Sequence, residues 1–198
     1  RINARIIKVN KKYAIAKIDE VVTPSPDRIE NDCPSFPSCG GCAFRHISYD
    51  AECEIKQQRV ADAMRRIGSV DTPTDKIVAC DNIHGYRNKA QYAVSKDNNG
   101  LKIGFYAERS HRVIDCRNCR LQPEIFRVII DLFAEFIEQN GISVYDEMSG
   151  KGLVRNIYIR QAEMTGEIMV CTVINGSSLP KSDALIEGLK SALGDRIK

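Results

Sequence analysis

Apolar residues recur at two different spacings along this 198-residue chain, and each spacing predicts one type of element. Two β-rich runs, Ile2–Val9 and Tyr13–Val22, are joined by a short polar segment and predict a β-hairpin. Apolar positions three, four and seven residues apart predict helices from about Tyr49 to Ile67 and from Pro123 to Gly141. Hairpins and separate helices of this kind do not form a strand–helix–strand repeat.

The two predicted helices carry apolar stripes of different length. In the first helix, the residues expected to face inward are Cys53, Val60, Met64 and Ile67. In the second helix, the expected stripe comprises Phe126, Ile129, Ile130, Phe133 and Ile137. Gly68 and Gly141 follow the stripes and are typical of helix ends.

The segment Tyr86–Asp115 predicts a strand meander. Asn99 and Gly100 separate the runs Gln91–Val94 and Leu101–Tyr106, and both residue types tolerate the positive φ angles of a tight hairpin turn. We therefore expect the hairpin to turn at Asn99-Gly100.

The last part of the chain predicts one more hairpin and one more helix. Val154–Arg160 and Glu167–Ile174 form the hairpin, and Pro180 precedes the helix. The helix residues expected to face inward are Leu185, Leu189 and Ala192. The predicted fold class is α+β: antiparallel β-hairpins or a sheet with about three helices, preceded by a β-hairpin and a cysteine-rich loop.

Composition and charge narrow the class of protein. Hydrophobic residues make up 43% and charged residues 28%, as in an ordinary globular protein. No apolar run is long enough for a membrane helix and no signal-peptide core is evident, so we expect no membrane contact and a cytoplasmic location. The net charge is +3, but residues 1–20 and 85–120 carry six and eight Lys/Arg respectively. Such segregation indicates a basic surface that binds a polyanion, with two solvated faces as the alternative.

Three of the eight cysteines lie close together in a Pro/Gly-rich loop. Cys33, Cys39 and Cys42 occupy a segment with almost no apolar periodicity, so an inorganic centre would hold it where hydrophobic packing cannot. In a reducing compartment, clustered thiols are metal ligands or redox groups rather than disulfides. A complete shell needs a fourth thiolate, for which Cys116 and Cys119 are the candidates.

Two kinds of inorganic centre compete for these cysteines. In a zinc site, Cys39 and Cys42 would join Cys116 and Cys119, but Cys33 would have no role and the gap far exceeds the roughly 15–20 residues of a zinc ribbon. Three local cysteines and one distant partner favour an iron–sulfur cluster. Unligated or disulfide-paired cysteines are a third alternative. The remaining cysteines are expected to be buried packing residues: Cys53, Cys80 and Cys171.

Several segments of the chain together resemble one known family. Cys33-Pro34, Cys39-Gly40-Gly41-Cys42 and His46 are followed in order by four further segments: Gly85–Gln91, Ile103–Tyr106, Asp115–Gln122 and Leu153–Asn156. This pattern resembles the bacterial 23S ribosomal RNA (uracil-5-)-methyltransferases of the RumA/TrmA type, in particular their Gram-positive branch. The resemblance extends over essentially the whole chain.

The resemblance implies cofactors and their ligands. Members of this family hold a 4Fe-4S cluster with four cysteines, which correspond here to Cys33, Cys39, Cys42 and Cys119. Cys116 stands where the family needs no cysteine and is at best a substitute. Members also use S-adenosylmethionine, which the resemblance implies for the parent protein only.

The resemblance also implies a domain organisation. Residues 1–24 correspond to the C-terminal remnant of a TRAM-like β-barrel, residues 25–48 to the cluster loop and residues 49–198 to a central α+β RNA-binding domain. The family's Rossmann-type catalytic domain would lie beyond residue 198. We therefore expect no catalytic residue and no S-adenosylmethionine-binding residue in this chain, which alone is expected to be inactive.

RNA contacts are expected from basic and polar residues around the distant thiol. If a cluster joins Cys119 to the loop, these residues would lie beside the Lys and Arg residues of the first hairpin. Together they would form a groove that attracts phosphates. The expected contacts are Arg87, Lys89, Gln91, Arg109, Arg112 and Arg155. Four aromatic residues, Tyr86, Tyr92, Phe105 and Tyr106, could stack on bases, although core positions are the stronger interpretation.

The predicted function is therefore the iron–sulfur-bearing, RNA-binding portion of an S-adenosylmethionine-dependent methyltransferase acting on C5 of uridine in ribosomal RNA. One alternative is a free-standing zinc or iron–sulfur RNA-binding module without enzymatic activity. Another is an electron-transfer or redox-sensing protein. Ribosomal RNA is the expected partner, and we expect a monomer with no obligate protein partner.

Overall fold

The computed structural model describes residues 1–198, which fall into two compact units. The first unit comprises residues 1–32 and 44–79, and the second comprises residues 33–43 and 80–198. All five cysteines considered as ligands therefore belong to the second unit. None of the helices combines the length and apolarity that a bilayer crossing requires.

The first unit contains a hairpin and a helix. Strands β1 (Ile2–Val9) and β2 (Ala14–Val21) pair in antiparallel fashion, and every residue of both strands is exposed. Helix α1 (Tyr49–Arg66) begins after Ser48, whose hydroxyl accepts a hydrogen bond from the backbone N–H of Ala51. The predicted hairpin and helix are confirmed.

The apolar stripe predicted for α1 is wrong over most of its length. Cys53 is buried as expected, together with Ala51, but Val60, Met64 and Ile67 are exposed. Periodicity shows which face of a helix is apolar, whereas burial requires another element that covers this face along its whole length.

The second unit is built around a five-stranded antiparallel sheet with the strand order β5-β4-β3-β6-β7. Its strands are β3 (Lys89–Asp97), β4 (Gly100–Tyr106), β5 (Val113–Asp115), β6 (Val154–Gln161) and β7 (Ile168–Ile174). Two helices, α2 (Glu124–Gln139) and α3 (Ser182–Leu193), complete the unit with a short 3₁₀ turn, Gly194–Arg196. The predicted α+β class is confirmed.

Helices α2 and α3 share one hydrophobic core with the sheet. The stripe predicted for α2 is confirmed, because all of its members are buried: Phe126, Ile129, Ile130, Phe133 and Ile137. In α3, Leu185 and Leu189 are buried as predicted, but the third buried residue is Leu193, since the spacing of four residues continues. The expectation that Ala192 faces inward is wrong.

The β3–β4 hairpin turns one residue earlier than predicted. Asp97 pairs with Gly100, so Asn98 and Asn99 form the turn and Gly100 is the first residue of β4. The φ angle of Gly100 is +107°, which explains why glycine follows the two asparagines.

Candidate functional site: a thiol group and its basic surroundings

Three cysteine thiols meet where the loop of residues 33–43 contacts the segment that follows β5. Cys116 hydrogen-bonds to both Cys39 and Cys119. Cys116 is buried, whereas Cys39 and Cys119 are half-buried. These three side chains, called the thiol group below, come from distant parts of the sequence and form the candidate site.

Hydrogen bonds hold the loop of residues 33–43 at this position. The Ser35 hydroxyl donates to the Asp115 carbonyl at 3.3 Å, and the Gly40 N–H donates to the Tyr106 carbonyl at 3.2 Å. A Cβ atom at Gly40 would lie 3.0 Å from the backbone nitrogen of Glu108, so glycine permits this close approach. Polar contacts thus supply the attachment that the sparse apolar content of the loop does not.

A second glycine positions Cys116. A Cβ atom at Gly104 of β4 would lie 2.0 Å from the carbonyl oxygen of Ile114 and 2.6 Å from the backbone nitrogen of Cys116. The Cys116 N–H donates to the Ile103 carbonyl at 3.2 Å. The close contact between β4 and β5 therefore depends on glycine and fixes the backbone from which the Cys116 thiol projects.

The hydrogen bonds within the thiol group determine which sulfur keeps its proton. Hydrogen bonds with Cys119 and Cys39, and then burial, raise the pKa of Cys116. The hydrogen bond from Cys116 is also the main cause that lowers the pKa of Cys39 to about 6 and the pKa of Cys119 to about 6. Because a thiol has one proton, Cys116 donates to one neighbour at a time. The group favours thiolates, which are the forms that ligate metals.

Arg87 is the predicted RNA-contacting residue that the structure brings to the thiol group. Its guanidinium Nη2 donates to the Gly41 carbonyl at 3.4 Å, and its charge contributes to the lowered pKa of both Cys39 and Cys119. Its backbone N–H donates to the Leu121 carbonyl at 3.0 Å. Arg87 is half-buried and links the loop to the residues that follow Cys119.

The residues around the thiol group fit an iron–sulfur cluster on three observations. Two of the donors, Cys39 and Cys119, favour the thiolate form. The Gly41 N–H donates to the Cys39 sulfur at 3.4 Å, and a Cβ atom at Gly41 would lie 3.4 Å from that sulfur, so glycine leaves space beside it. The buried Tyr92 hydroxyl has no hydrogen-bond partner, and burial, then Cys119 and Cys116, raise the pKa of Tyr92. An unpaired hydroxyl donor next to these thiols suits a ligand that presents sulfur acceptors.

The structure shows donors brought together rather than a coordination shell. No three His, Cys, Asp or Glu side chains are arranged to hold a single metal ion, and no cysteine is in a disulfide. Both Cys116 and Cys119 belong to the thiol group, so the structure does not distinguish them as the fourth ligand. Cys33 and Cys42 are half-buried in the same loop. The ligand set Cys33, Cys39, Cys42 and Cys119 stays a prediction.

Two of the three cysteines expected to be buried are exposed. Cys53 is buried, as expected, but Cys80 and Cys171 are both exposed. The Cys80 thiol donates to the Asn82 carbonyl at 3.0 Å in a segment without regular structure, and Cys171 lies on β7. For Cys171, neighbouring apolar residues in the sequence did not indicate burial, because burial on a strand alternates from one residue to the next.

Four other predicted RNA contacts lie outside the thiol group, on β3 and in the connection between β4 and β5. Lys89 and Gln91 lie on β3, where the Tyr158 hydroxyl of the neighbouring strand donates to Gln91 Oε1 at 2.6 Å. Arg109 and Arg112 lie in the exposed connection between β4 and β5. Their contacts with RNA stay predictions.

Arg155 lines a separate pocket of about 380 Å³. Its guanidinium carbon lies 4.4 Å from the centre of the Tyr145 ring. On the same pocket, His111 Nδ1 lies 2.7 Å from Glu147 Oε2, and the exposed Tyr106 ring packs against the His111 ring with centres 5.8 Å apart. Aromatic rings and charges of this kind suit an unstacked base. Tyr92, in contrast, is fully buried and belongs to the core.

Two candidate site residues, Tyr145 and Gln122, were not predicted from the sequence. Tyr145 follows α2 in a segment without periodicity, so its contact with Arg155 had no sequence signal. Gln122 is a buried polar residue between Leu121 and Pro123, directly before α2. A polar side chain between an apolar residue and the start of a strongly amphipathic helix was an available signal.

Comparison with known proteins finds RNA methyltransferases that are similar to this chain. The chain is 40% identical over 192 residues to a Clostridium tetani protein and 39% identical over 194 residues to a Halalkalibacterium halodurans protein, both named as uncharacterized RNA methyltransferases. The alignments cover 97% and 98% of this chain. Both proteins are therefore similar to this chain along nearly all of its length. The chain spans 42% of the length of each of these two relatives, and no protein-family model matches it.

A solved structure supports this similarity to RNA methyltransferases. The crystal structure of Pyrococcus abyssi tRNA (uracil-54, C5)-methyltransferase in complex with S-adenosyl-L-homocysteine matches with a TM-score of 0.67 and 28% sequence identity. The match covers 91% of this chain and 40% of the archaeal chain. The resemblance to uracil-5-methyltransferases, first based on short motifs, is thereby confirmed.

Proposed function

We propose that this chain is the iron–sulfur-bearing, RNA-binding portion of a methyltransferase that transfers a methyl group from S-adenosylmethionine to C5 of uridine in ribosomal RNA. The thiol group with Arg87 beside it is the observation that carries the proposal. Its support comes from the similarity of nearly all of this chain to part of known RNA methyltransferases and from the structural match to a uracil-5-methyltransferase.

The proposed ligands of a 4Fe-4S cluster are Cys33, Cys39, Cys42 and Cys119, with Cys116 as a substitute. The lowered pKa of Cys39 and Cys119 supports this assignment, because thiolates ligate iron. When bound, the cluster supplies bonds that join the loop to the segment after β5, which is a structural role. Around it, Arg87 orders the loop through its contact with the Gly41 carbonyl.

RNA binding is proposed for the basic residues of the second unit. Arg109 and Arg112 are exposed, and Lys89 and Gln91 lie on the sheet, so these side chains are placed to contact phosphates or sugars. Arg155 and Tyr145 would hold an unstacked base. Catalysis and S-adenosylmethionine binding are proposed for parts of the relatives that this chain does not match, so residues 1–198 alone are expected to bind RNA without methylating it. We also propose that the protein functions as a monomer in the cytoplasm.

Iron and sulfide analysis of anaerobically prepared protein tests the cluster. We expect iron and sulfide in equal amounts, a brown colour, and loss of both in Cys42→Ser and in Cys119→Ser. Cys171→Ser is the matched control, because Cys171 is exposed on β7, and it should keep its iron. Unchanged iron in both ligand variants would contradict the assignment, and zinc in place of iron would support the zinc module instead.

Methyl transfer by the parent protein tests the reaction. Labelled S-adenosylmethionine and ribosomal RNA should yield uridine methylated at C5, identified by mass spectrometry of the digested RNA. Transfer to another atom or to another base contradicts the proposed reaction, whereas the chain of 198 residues is expected to show no transfer.

A further inference from the structure

A second pocket, of about 440 Å³, lies in the second unit and borders the thiol group at Cys119. Its volume falls within the range of small-ligand sites. Most charged residues of the lining are basic: it includes Arg117, Arg120 and Arg127, together with His84, whereas Glu124 is its acidic residue. We call it the arginine pocket. None of the RNA contacts expected from the sequence lies in it.

Helix α2 begins at the arginine pocket. Pro123 and Glu124 line the pocket, and no side chain caps the first N–H groups of this 16-residue helix. These N–H groups carry partial positive charge and are typical partners of phosphate. Arg117 also lies 3.3 Å from Asp115, so its charge is partly compensated within the protein. Arg120 and Arg127 add positive charge to the lining.

Gln122 provides an independent indication of a ligand. Its side chain is 6% exposed and lines the pocket, and its Oε1 atom has no hydrogen-bond partner. A buried acceptor without a donor is unfavourable, and a ligand that brings an O–H or N–H group into the pocket would satisfy it. A phosphodiester has no such donor, whereas the 2′-hydroxyl of the adjoining ribose has one.

We propose that the arginine pocket binds one ribose–phosphate unit of RNA. The phosphate lies at the start of α2 with Arg120 and Arg127, and the 2′-hydroxyl donates to Gln122 Oε1. This inference rests on the proposed function, because it takes RNA as the ligand. It adds a means of selecting RNA over DNA, since DNA lacks the hydroxyl.

The pocket is tested by measuring the binding of the 198-residue chain to two single-stranded oligonucleotides by fluorescence anisotropy. The two oligonucleotides have the same sequence, and one is RNA and the other DNA. The unmodified chain should bind RNA about fivefold more tightly, as one hydrogen bond would give. Gln122→Met removes the acceptor at similar side-chain length and should abolish this preference. Arg127→Ala should weaken both oligonucleotides by the same factor and reduce the salt dependence. Lys190→Ala on α3 is the control and should change neither.

The outcomes distinguish failure of the pocket assignment from failure of the proposed function. Failure of the unmodified chain to bind either oligonucleotide contradicts RNA binding as a whole. RNA binding without preference over DNA, or a preference that survives in Gln122→Met, overturns the pocket assignment alone. If Gln122→Met does not fold, Arg120→Ala and Arg127→Ala decide the question, because unchanged affinity in both variants also overturns the assignment.

Discussion

The helix–sheet core and the thiol group belong to the same compact unit but are held by different forces. The core buries large side chains such as Phe126, Phe133 and Ile157 between the sheet and the helices α2 and α3. At the thiol group, Ser35 and Gly40 attach a loop through hydrogen bonds, and the sulfurs contact one another. Apolar burial stabilises the core without any ligand, whereas the thiol group is positioned by polar contacts that a ligand would reinforce. A substitution in the core should therefore change the stability of the unit, and a substitution at the thiol group should change the order of the site, independently of each other.

The largest effect is expected from a substitution in the core. Phe133→Ala removes a fully buried ring and should lower the free energy of unfolding by about 3–5 kcal/mol, as measured by urea denaturation. Glu135→Ala, at an exposed position of the same helix, is the control and should stay within about 0.5 kcal/mol. A loss below about 1 kcal/mol in Phe133→Ala would mean that the core does not depend on α2.

The pH dependence of alkylation in cluster-free protein should reveal the lowered pKa values in the thiol group. The first of Cys39 and Cys119 to ionise should react with iodoacetamide with a midpoint near pH 6, because the hydrogen bond from Cys116 lowers the pKa of either thiol to about 6 from 9.0. The second should react at higher pH, since Cys116 donates to one neighbour at a time. A lowered pKa in the folded state stabilises it fully above pH 9, and this contribution is lost as the pH falls through about 6.

Mass spectrometry of the alkylated peptides assigns these rates to individual cysteines. Cys116→Ala removes the shared hydrogen-bond donor, so the midpoint near pH 6 should move towards higher pH. A midpoint that stays near pH 6 in this variant would show that Cys116 is not the cause.

The core was predictable from the sequence because periodicity reflects burial directly in a long amphipathic helix. Periodicity predicts all five stripe residues of α2 correctly. It fails in α1 and at Ala192, because it does not show which residues of an apolar face are covered by another element. The thiol group was predictable only in part. Spacing within the chain indicated Cys39, Cys42 and a distant cysteine, but it could not show that Cys116 lies between Cys39 and Cys119. That arrangement depends on the approach of β4 to β5 at Gly104, which is a contact between strands.

Gly104→Ala should affect both the stability of the core and the thiol group, with a loss of stability of intermediate size. The added Cβ atom meets backbone atoms of Ile114 and Cys116, so we expect a loss of about 1–3 kcal/mol in the free energy of unfolding and a lower iron content. The control is Gly188→Ala in α3, where a Cβ atom would lie 4.0 Å from Leu132. This substitution should stabilise the protein by about 0.5–1 kcal/mol and leave iron unchanged. Equal iron content in both variants would argue against a role of Gly104 in placing Cys116.

The smallest effect is expected from Tyr92→Phe, which removes one buried hydroxyl between the core and the thiol group. In cluster-free protein, the free energy of unfolding should be unchanged or rise by up to about 1 kcal/mol, because the hydroxyl has no partner there. In cluster-containing protein, the reduction potential should fall, since hydrogen bonds to the sulfurs of a cluster stabilise its reduced form.

Tyr158→Phe is the matched control for Tyr92→Phe. It removes the hydrogen bond to Gln91 on the sheet, so it should cost about 1 kcal/mol in both forms of the protein and leave the potential unchanged. If Tyr92→Phe destabilises the cluster-free protein as Tyr158→Phe does, its hydroxyl has a partner within the protein. If the potential is also unchanged, the hydroxyl does not reach the cluster, and the unpaired Tyr92 donor no longer supports a sulfur-containing ligand at this site.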